Sequence, residues 1–347
     1  MMNDQDVKRE IKAVLFCIAG LMVFLPLSDE CEAERRIMSR AEAFRTFALL
    51  LKIPPAPPEV TVTVRNRLEE EGVVIEDISW ESLDGEKPEA YVIRPKEAEG
   101  PLPAIVCLHG TGGDRASMCT KEFGQGEWTQ YGSSKPHTRL LGWARELTRR
   151  GYLTLALTQR GLGPRTPDTN DQAKNLLVRG RTLMGALVYE IRQAITYLEN
   201  RDDVNHSRIG ITGLSFGGIT TFYTWLVDDR PAAAASICGG VGSVDELLKR
   251  GSPSYHGLYW WIPDMLTRGD QGDFAAAMAP RPLMLWAPLE DIGMPKEGVD
   301  RFLTVARPAY EAAGAPQTLV VHQLPGEHSF TTEAFHAMAA FFDQWLR

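Results

Sequence analysis

A serine stands at the centre of Gly213-Leu214-Ser215-Phe216-Gly217, and the residues around it decide what it can do. The β-branched run Ile209–Leu214 precedes it and the apolar stretch Ile219–Val227 follows, so the chain must turn from strand to helix at once. So sharp a turn forces the serine into a strained conformation. Glycines two positions to either side leave room for the backbones to close. The turn lifts the Ser215 hydroxyl above the sheet, where a base can take its proton, and sets the Phe216 amide at a helix N-terminus facing developing negative charge. Serine is a poor nucleophile at its own pKa, so it requires a base, and the base requires an orienting acid. A second Gly-rich turn, Leu108-His109-Gly110-Thr111-Gly112-Gly113, closes another strand-like run. It lacks the G-x-x-x-x-G-K-[ST] spacing and does not complete G-x-G-x-x-G, which argues against nucleotide binding.

The elements that must position these residues recur along the chain. Val73–Trp80 and Glu89–Arg94 read as an antiparallel pair joined around Asp84-Gly85. Strand-like runs follow at Ala104–His109, Tyr152–Thr158, Ile209–Leu214, Ala233–Cys238, Leu283–Ala287 and Thr318–Leu324. Apolar residues at helical spacing predict helices over Thr138–Arg150, Thr182–Asn200, Ile219–Val227, Asp300–Ala313 and Glu333–Leu346. Gly151 and Gly314 end the first and fourth of these. Strands alternating with helices argue for an α/β class, a mostly parallel eight-stranded sheet with helices on both faces. Two long connections, Thr111–Pro136 and Gly239–Pro280, carry no regular pattern. Unpatterned loops of that length in a compact domain are usually functional, and both flank the expected active face.

At 347 residues and 44% hydrophobic, the chain can bury one large core. Its net charge of -8 is spread without a Lys/Arg run, which argues against a nucleic-acid partner. None of the 5 cysteines (Cys17, Cys31, Cys107, Cys119, Cys238) has C-x-x-C spacing, so no zinc or redox motif is expected. Cys107 and Cys238 sit in apolar runs and read as buried thiols, with a disulfide to Cys119 left open. Residues 1–33 join Lys8, Arg9 and Lys12 to the uncharged run Ala13–Leu27 and to Cys31-Glu32-Ala33, the three parts of a secretory signal. Export to the periplasm or the exterior is expected, with uncleaved membrane attachment as the alternative. The run is short of the about 20 apolar residues that span a bilayer. Residues 34–60 read as an N-terminal helix and a rigid hinge at Ile53-Pro54-Pro55-Ala56-Pro57-Pro58, and 61–347 as the catalytic domain.

Together these residues resemble the serine esterases of the α/β-hydrolase superfamily. The resemblance is strongest to the dienelactone-hydrolase and acetyl-xylan-esterase-like branch, with a distant similarity to prolyl oligopeptidases. It runs from about Val73 to the C-terminus and includes Gly180-Arg-Thr-Leu-Met-Gly185, Tyr197-Leu-Glu-Asn-Arg-Asp-Asp-Val-Asn205 and Met278-Ala-Pro-Arg-Pro-Leu283. Dienelactone hydrolases use a cysteine nucleophile; Ser215 stands here, which shifts the expectation to ordinary esters. The resemblance implies the chain order Ser…Asp…His. It places the base at His328, in Pro325-Gly326-Glu327-His328 after the last strand, and the acid at the end of Leu283–Ala287. There Asp291, with Pro295 four residues on, is similar to the family's D-x-x-V-P turn, and its neighbour Glu290 is the alternative. The oxyanion donors implied are the amides of Phe216 and Thr111, with Gly112 as a register alternative. No metal and no organic cofactor is implied.

Substrate contacts are expected from Ser252–Met265, which holds Tyr255, His256, Tyr259, Trp260 and Trp261, while the first long connection adds Trp128 and Tyr131. Such aromatics stack on sugars or line an acyl pocket, or else they cap the core beneath a long loop. Tyr255, His256 and Trp260 are the candidates carried forward. The expected partner is a small-molecule or carbohydrate ester, short-chain or acetyl. The rival functions are a prolyl-oligopeptidase-like peptidase and a non-catalytic hydrolase-like binding protein; the latter usually lacks one triad residue, and all three positions are filled here.

Overall fold

The apolar runs become the middle of a nine-stranded sheet in a computed structural model that describes residues 38–129, 136–165 and 168–347. The strands are β1 (Val62–Glu70), β2 (Val73–Trp80), β3 (Glu89–Pro95), β4 (Leu102–Leu108), β5 (Gly124–Thr129), β6 (Pro136–Leu141), β7 (Leu153–Thr158), β8 (Val204–Leu214), β9 (Ala233–Ile237), β10 (Leu283–Trp286) and β11 (Leu319–His322). Their order in the main sheet is β1-β2-β3-β7-β4-β8-β9-β10-β11, with β5 and β6 forming a separate hairpin. From β7 to β11 every pairing is parallel, and β1, β2 and β3 extend the sheet antiparallel.

The central strands are apolar throughout because both of their faces are covered. Along β4, Ala104, Val106 and Leu108 enter one core layer while Ile105 and Cys107 enter the other. The helices are α1 (Arg40–Leu51), α2 (Arg115–Cys119), α3 (Trp143–Arg149), α4 (Thr169–Leu177), α5 (Leu183–Glu199), α6 (Phe216–Val227), α7 (Val244–Arg250), α8 (Met265–Arg268), α9 (Gln271–Ala277), α10 (Lys296–Ala312) and α11 (Thr332–Leu346). The first layer packs against α1, α5, α6, α9 and α10, and the second against α3 and α11.

Several elements depart from the sequence expectation. The sheet has nine strands instead of eight because β1 forms the edge. Its apolar residues Val62, Val64 and Leu68 do alternate with polar ones, but residues 63–70 are all exposed and the strand ends in a charged run, so it reads as solvated surface. The charges guard an open edge, through pairs such as Arg65 with Asp77 at 2.5 Å and Lys96 with Glu69 at 3.1 Å. The helix expected over Thr138–Arg150 begins only at Trp143, since residues 136–141 pair with β5. The connection Gly239–Pro280 contains α7, α8 and α9.

The expected hinge is instead a strap along α5. Arg192, Thr196 and Asn200 donate to the carbonyls of Pro54, Pro57 and Pro58 at 3.0, 3.1 and 3.3 Å. Helix α1 is part of the main core: Phe47 is fully buried against the rings of Tyr223 and Phe274, 4.9 and 4.8 Å away. Burying such a ring contributes about 2–3 kcal/mol. Thr182 Oγ1 accepts the Gly185 amide at 2.9 Å and donates to the Leu51 carbonyl at 2.7 Å, which joins the end of α1 to the start of α5. Cys107, Cys119 and Cys238 are free and buried, so the disulfide left open does not form. The segment expected to direct export, residues 1–33, lies outside the described residues. Among those described, no helix is long and apolar enough to cross a membrane.

Candidate active site

Ser215 sits between β8 and α6 with φ 54° and ψ −113°, a region that side chains other than glycine rarely adopt. Holding it there costs on the order of 1–3 kcal/mol, offset by the packing around it. The Ser215 amide donates to the Ile237 carbonyl at the end of β9, 2.8 Å away. The flanking glycines are required by contact: a Cβ on Gly217 would overlap the Leu108 carbonyl oxygen, and one on Gly213 would lie 2.5 Å from the Gly217 backbone.

The loops after β10 and β11 are stitched together. The Leu289 amide donates to the Leu324 carbonyl at 2.9 Å, and the Glu290 amide to the Gly326 carbonyl at 3.0 Å. The Gly326 amide donates in return to the Glu290 carboxylate at 2.5 Å. Glu290 is thus an exposed brace for the histidine loop, and Asp291 is the acid that faces the histidine. Asp291 Oδ1 accepts the Gly293 amide at 2.8 Å, and its other oxygen meets His328 Nδ1 at 2.8 Å. His328 Nε2 lies 2.8 Å from Ser215 Oγ. A carboxylate oxygen only accepts, so Nδ1 carries the ring proton and Nε2 is left to accept from the serine hydroxyl. Asp291 and His328 are 6% and 4% exposed, which keeps water from competing for these bonds. Three side chains in this series can activate the hydroxyl as a nucleophile.

The Gly-rich turn after β4 is clamped to its neighbours through His109. Its Nδ1 donates to the Gly110 carbonyl at 2.8 Å, and its Nε2 accepts the Gln159 amide at 3.0 Å. Burial pushes the His109 pKa down to about 4, so the ring is neutral and one nitrogen can accept. The Gln159 side chain then donates to the His109 carbonyl at 2.7 Å and accepts from Thr220 of α6 at 2.7 Å. One buried glutamine therefore ties the turn to the helix that follows Ser215. Gly113 donates to the Gly110 carbonyl at 3.0 Å and closes a tight turn with Gly112 at φ 74°. Among the described residues, the Thr111 and Phe216 amides donate to no backbone carbonyl. Thr111 and Phe216 line the cavity at Ser215, and Gly112 does not.

That cavity measures about 560 Å³. The three aromatic candidates all line it, and each also makes a contact that fixes it. Tyr255 meets the His328 ring edge-on at 5.6 Å, and His256 stacks on Trp260 at 4.3 Å. His256 Nε2 donates to the Gly293 carbonyl at 2.5 Å, and burial pushes its pKa down to about 4. Trp261 packs edge-on against Trp260 at 4.9 Å and is not in the lining. The side chains of Trp128 and Tyr131 lie outside the described residues. Tyr259 lines the cavity too, with its ring 4.4 Å from Phe216.

Sequence reasoning did not select Asp168, Thr169, Asn170 or Cys238, which also line the cavity. Asp168 caps α4 through the Asn170 and Asp171 amides, and its place before a helical run was the available signal. Asn170 accepts the Leu258 amide at 3.0 Å and so joins the two segments that cover the cavity. No lysine or arginine lines it among the described residues.

No protein-family model matches the chain. It is 28% identical over 301 residues to YtaP of Bacillus subtilis (strain 168), a hydrolase by assignment, covering 86% of this chain and 97% of that one. A glucuronoyl esterase from Solibacter usitatus superposes with a TM-score of 0.64 at 17% identity, covering 88% of this chain and 92% of that one. An acetyl xylan esterase from Paenibacillus sp. R4 superposes with a TM-score of 0.60 at 18% identity, covering 87% and 93%. The chain has the α/β-hydrolase fold, as the motifs implied.

Proposed function

We propose that the protein is a serine carboxylic-ester hydrolase acting on short-chain or acetyl esters, those of carbohydrates included. The observation that carries this reading is the unbroken series from Ser215 Oγ through His328 to Asp291, each step 2.8 Å, on a strained strand-to-helix turn. Ser215 attacks the ester carbonyl while His328 Nε2 takes its proton. Asp291 holds the imidazole tautomer and stabilises the imidazolium that forms. The amides of Phe216 and Thr111 meet the oxyanion, and removing such a donor costs about 3–4 kcal/mol of barrier. The alcohol leaves with the proton from His328, and water attacks the acyl-enzyme through the same base. Aromatic walls around the serine, with no cation among the described lining residues, suit a neutral ester. The likeness to carbohydrate esterases supports an ester substrate, and residues 1–33 as an export signal would suit one met outside the cell.

The test is hydrolysis of p-nitrophenyl acetate, butyrate and octanoate by the wild type and Ser215→Ala, with fluorophosphonate labelling of both. Turnover and labelling that vanish together in a folded mutant support the reading, and esterase activity surviving in Ser215→Ala refutes it. Labelling without turnover of any ester redirects the search to amide substrates. Export is tested by N-terminal sequencing of the secreted product, and an unprocessed chain confined to the cytoplasm overturns it.

A further inference from the structure

Ester hydrolysis leaves one buried donor beside the reacting serine without a task. Cys238 follows β9 and adopts φ 49°, a left-handed conformation uncommon for a residue with a β-carbon. Its amide donates to the Trp286 carbonyl at 2.8 Å, and its thiol to the Ser329 carbonyl at 3.4 Å. This posture brings Sγ, a carboxylate oxygen of Asp291 and a ring nitrogen of His328 within 4.8 Å of one another. All three residues are buried, yet Cys238 and His328 line the cavity, so a small ion can reach them. Burial and the Asp291 charge hold the thiol well above its ordinary pKa, which makes it a poor nucleophile and a poor redox sensor. A cation changes that balance by supplying the positive charge a thiolate needs.

We propose that Cys238, Asp291 and His328 form an inhibitory site for a thiophilic divalent cation, for which Zn²⁺ is the best fit. Thiolate, carboxylate and imidazole are zinc's usual donors, bound at about 2.0–2.3 Å. Tetrahedral geometry sets such donors about 3.5 Å apart, so the cluster closes with shifts of about 1 Å, and cavity water supplies the fourth ligand. Mg²⁺ and Ca²⁺ require six or more oxygens and find one carboxylate. On binding, zinc enters between His328 Nδ1 and Asp291, and the Cys238 thiol proton leaves to solvent. The imidazole keeps its single proton but carries it on Nε2. That nitrogen then cannot accept from Ser215, so turnover stops, and no electron changes hands. The site rests on geometry alone, while the loss of turnover rests on the ester-hydrolase reading.

The full chain, stripped of metal, is titrated with Zn²⁺ by calorimetry and with Co²⁺ by near-ultraviolet spectroscopy, while p-nitrophenyl acetate turnover is followed. The expected result is one Zn²⁺ per chain, a thiolate-to-cobalt charge-transfer band, and inhibition that EDTA reverses and that Mg²⁺ and Ca²⁺ do not cause. Cys238→Ala should abolish the band. It should also raise the half-inhibiting zinc concentration by more than about 100-fold, the upper end of what losing an outer-shell partner causes. Each variant is scored against its own metal-free rate. Cys238→Ser, close in shape but without sulfur, serves if the alanine variant fails to fold by circular dichroism, and it too should lose the band. Equal zinc sensitivity in wild type and variants overturns the proposal, as does a band that survives them or its absence from the wild type. Zinc binding with the band but no hydrolysis of any ester keeps the site and refutes the ester-hydrolase reading; an active esterase indifferent to zinc does the reverse.

Discussion

Replacing Asp291 by asparagine should disable turnover through a tautomer switch that the local hydrogen bonds dictate. Asp291 Oδ1 accepts the Gly293 amide at 2.8 Å, and in the mutant only the amide oxygen can take that place. The NH₂ group is then forced to the position 2.8 Å from His328 Nδ1. Two donors cannot share that contact, so His328 must move its proton to Nε2. That nitrogen lies 2.8 Å from Ser215 Oγ and would then donate where it must accept. With both residues at most 6% exposed, water cannot repair the mismatch. The expected loss in kcat is about 10³–10⁴-fold, which is about 4–5.5 kcal/mol of barrier. Steady-state hydrolysis of p-nitrophenyl acetate measures it, with circular dichroism melting to show that the mutant folds. Glu290→Gln is the matched control: its side-chain carbonyl still accepts from the Gly326 amide, so its kcat should stay within about threefold. An Asp291→Asn enzyme that keeps a tenth of wild-type turnover, or a Glu290→Gln enzyme that loses more, refutes the assignment of the acid.

Gln159→Leu leaves the His109 carbonyl without its side-chain donor, at about 1–3 kcal/mol of stability, while the Thr220 hydroxyl falls back on the Phe216 and Gly217 carbonyls at 3.1 Å. It should lower kcat more than it raises KM, because the turn it braces would meet charge only in the transition state. Gly217→Ala forces a methyl group into the Leu108 carbonyl oxygen. Its melting temperature should fall by the equivalent of about 3 kcal/mol. The pH dependence of stability should carry the mark of His109. Burial lowers its folded pKa from 6.5 to about 4, so between those values the unfolded chain binds the extra proton. Stability from this group is therefore complete above pH 6.5 and lost as pH falls towards 4, by about 3 kcal/mol in all. Melting curves of the wild type against His109→Asn across that window read it as a difference in slope, and parallel curves contradict it.

The nucleophile turn was legible because its causes are local. Glycines on either side of Ser215, an apolar strand before it and an apolar helix after it are all adjacent in the chain, and steric exclusion acts between neighbours. The parallel centre of the sheet was legible for a similar reason, since strands covered on both faces read as continuous apolar runs. β1 was not picked out, because the alternation of Val62, Val64 and Leu68 is interrupted by charges that suit a solvated edge. Nor was the place of α1: a proline run reads the same whether it swings free or lies along α5, and the difference resides in the Arg192, Thr196 and Asn200 side chains about 140 residues away.

The sequence by itself determined the fold class, the serine, and a histidine and an acid in the family's order. The tertiary structure alone decided which of two adjacent acids faces the histidine, that α4 joins the segment Ser252–Met265 over the cavity, and that a cysteine shares the acid's and the histidine's surroundings. Ser215 and His328 are 113 residues apart in sequence, and His328 and Asp291 are 37 apart. Distances between such residues are set by how whole elements pack. A one-residue choice such as Glu290 against Asp291 follows from which carboxylate the loop-to-loop bonds turn inward, and no local pattern encodes that direction.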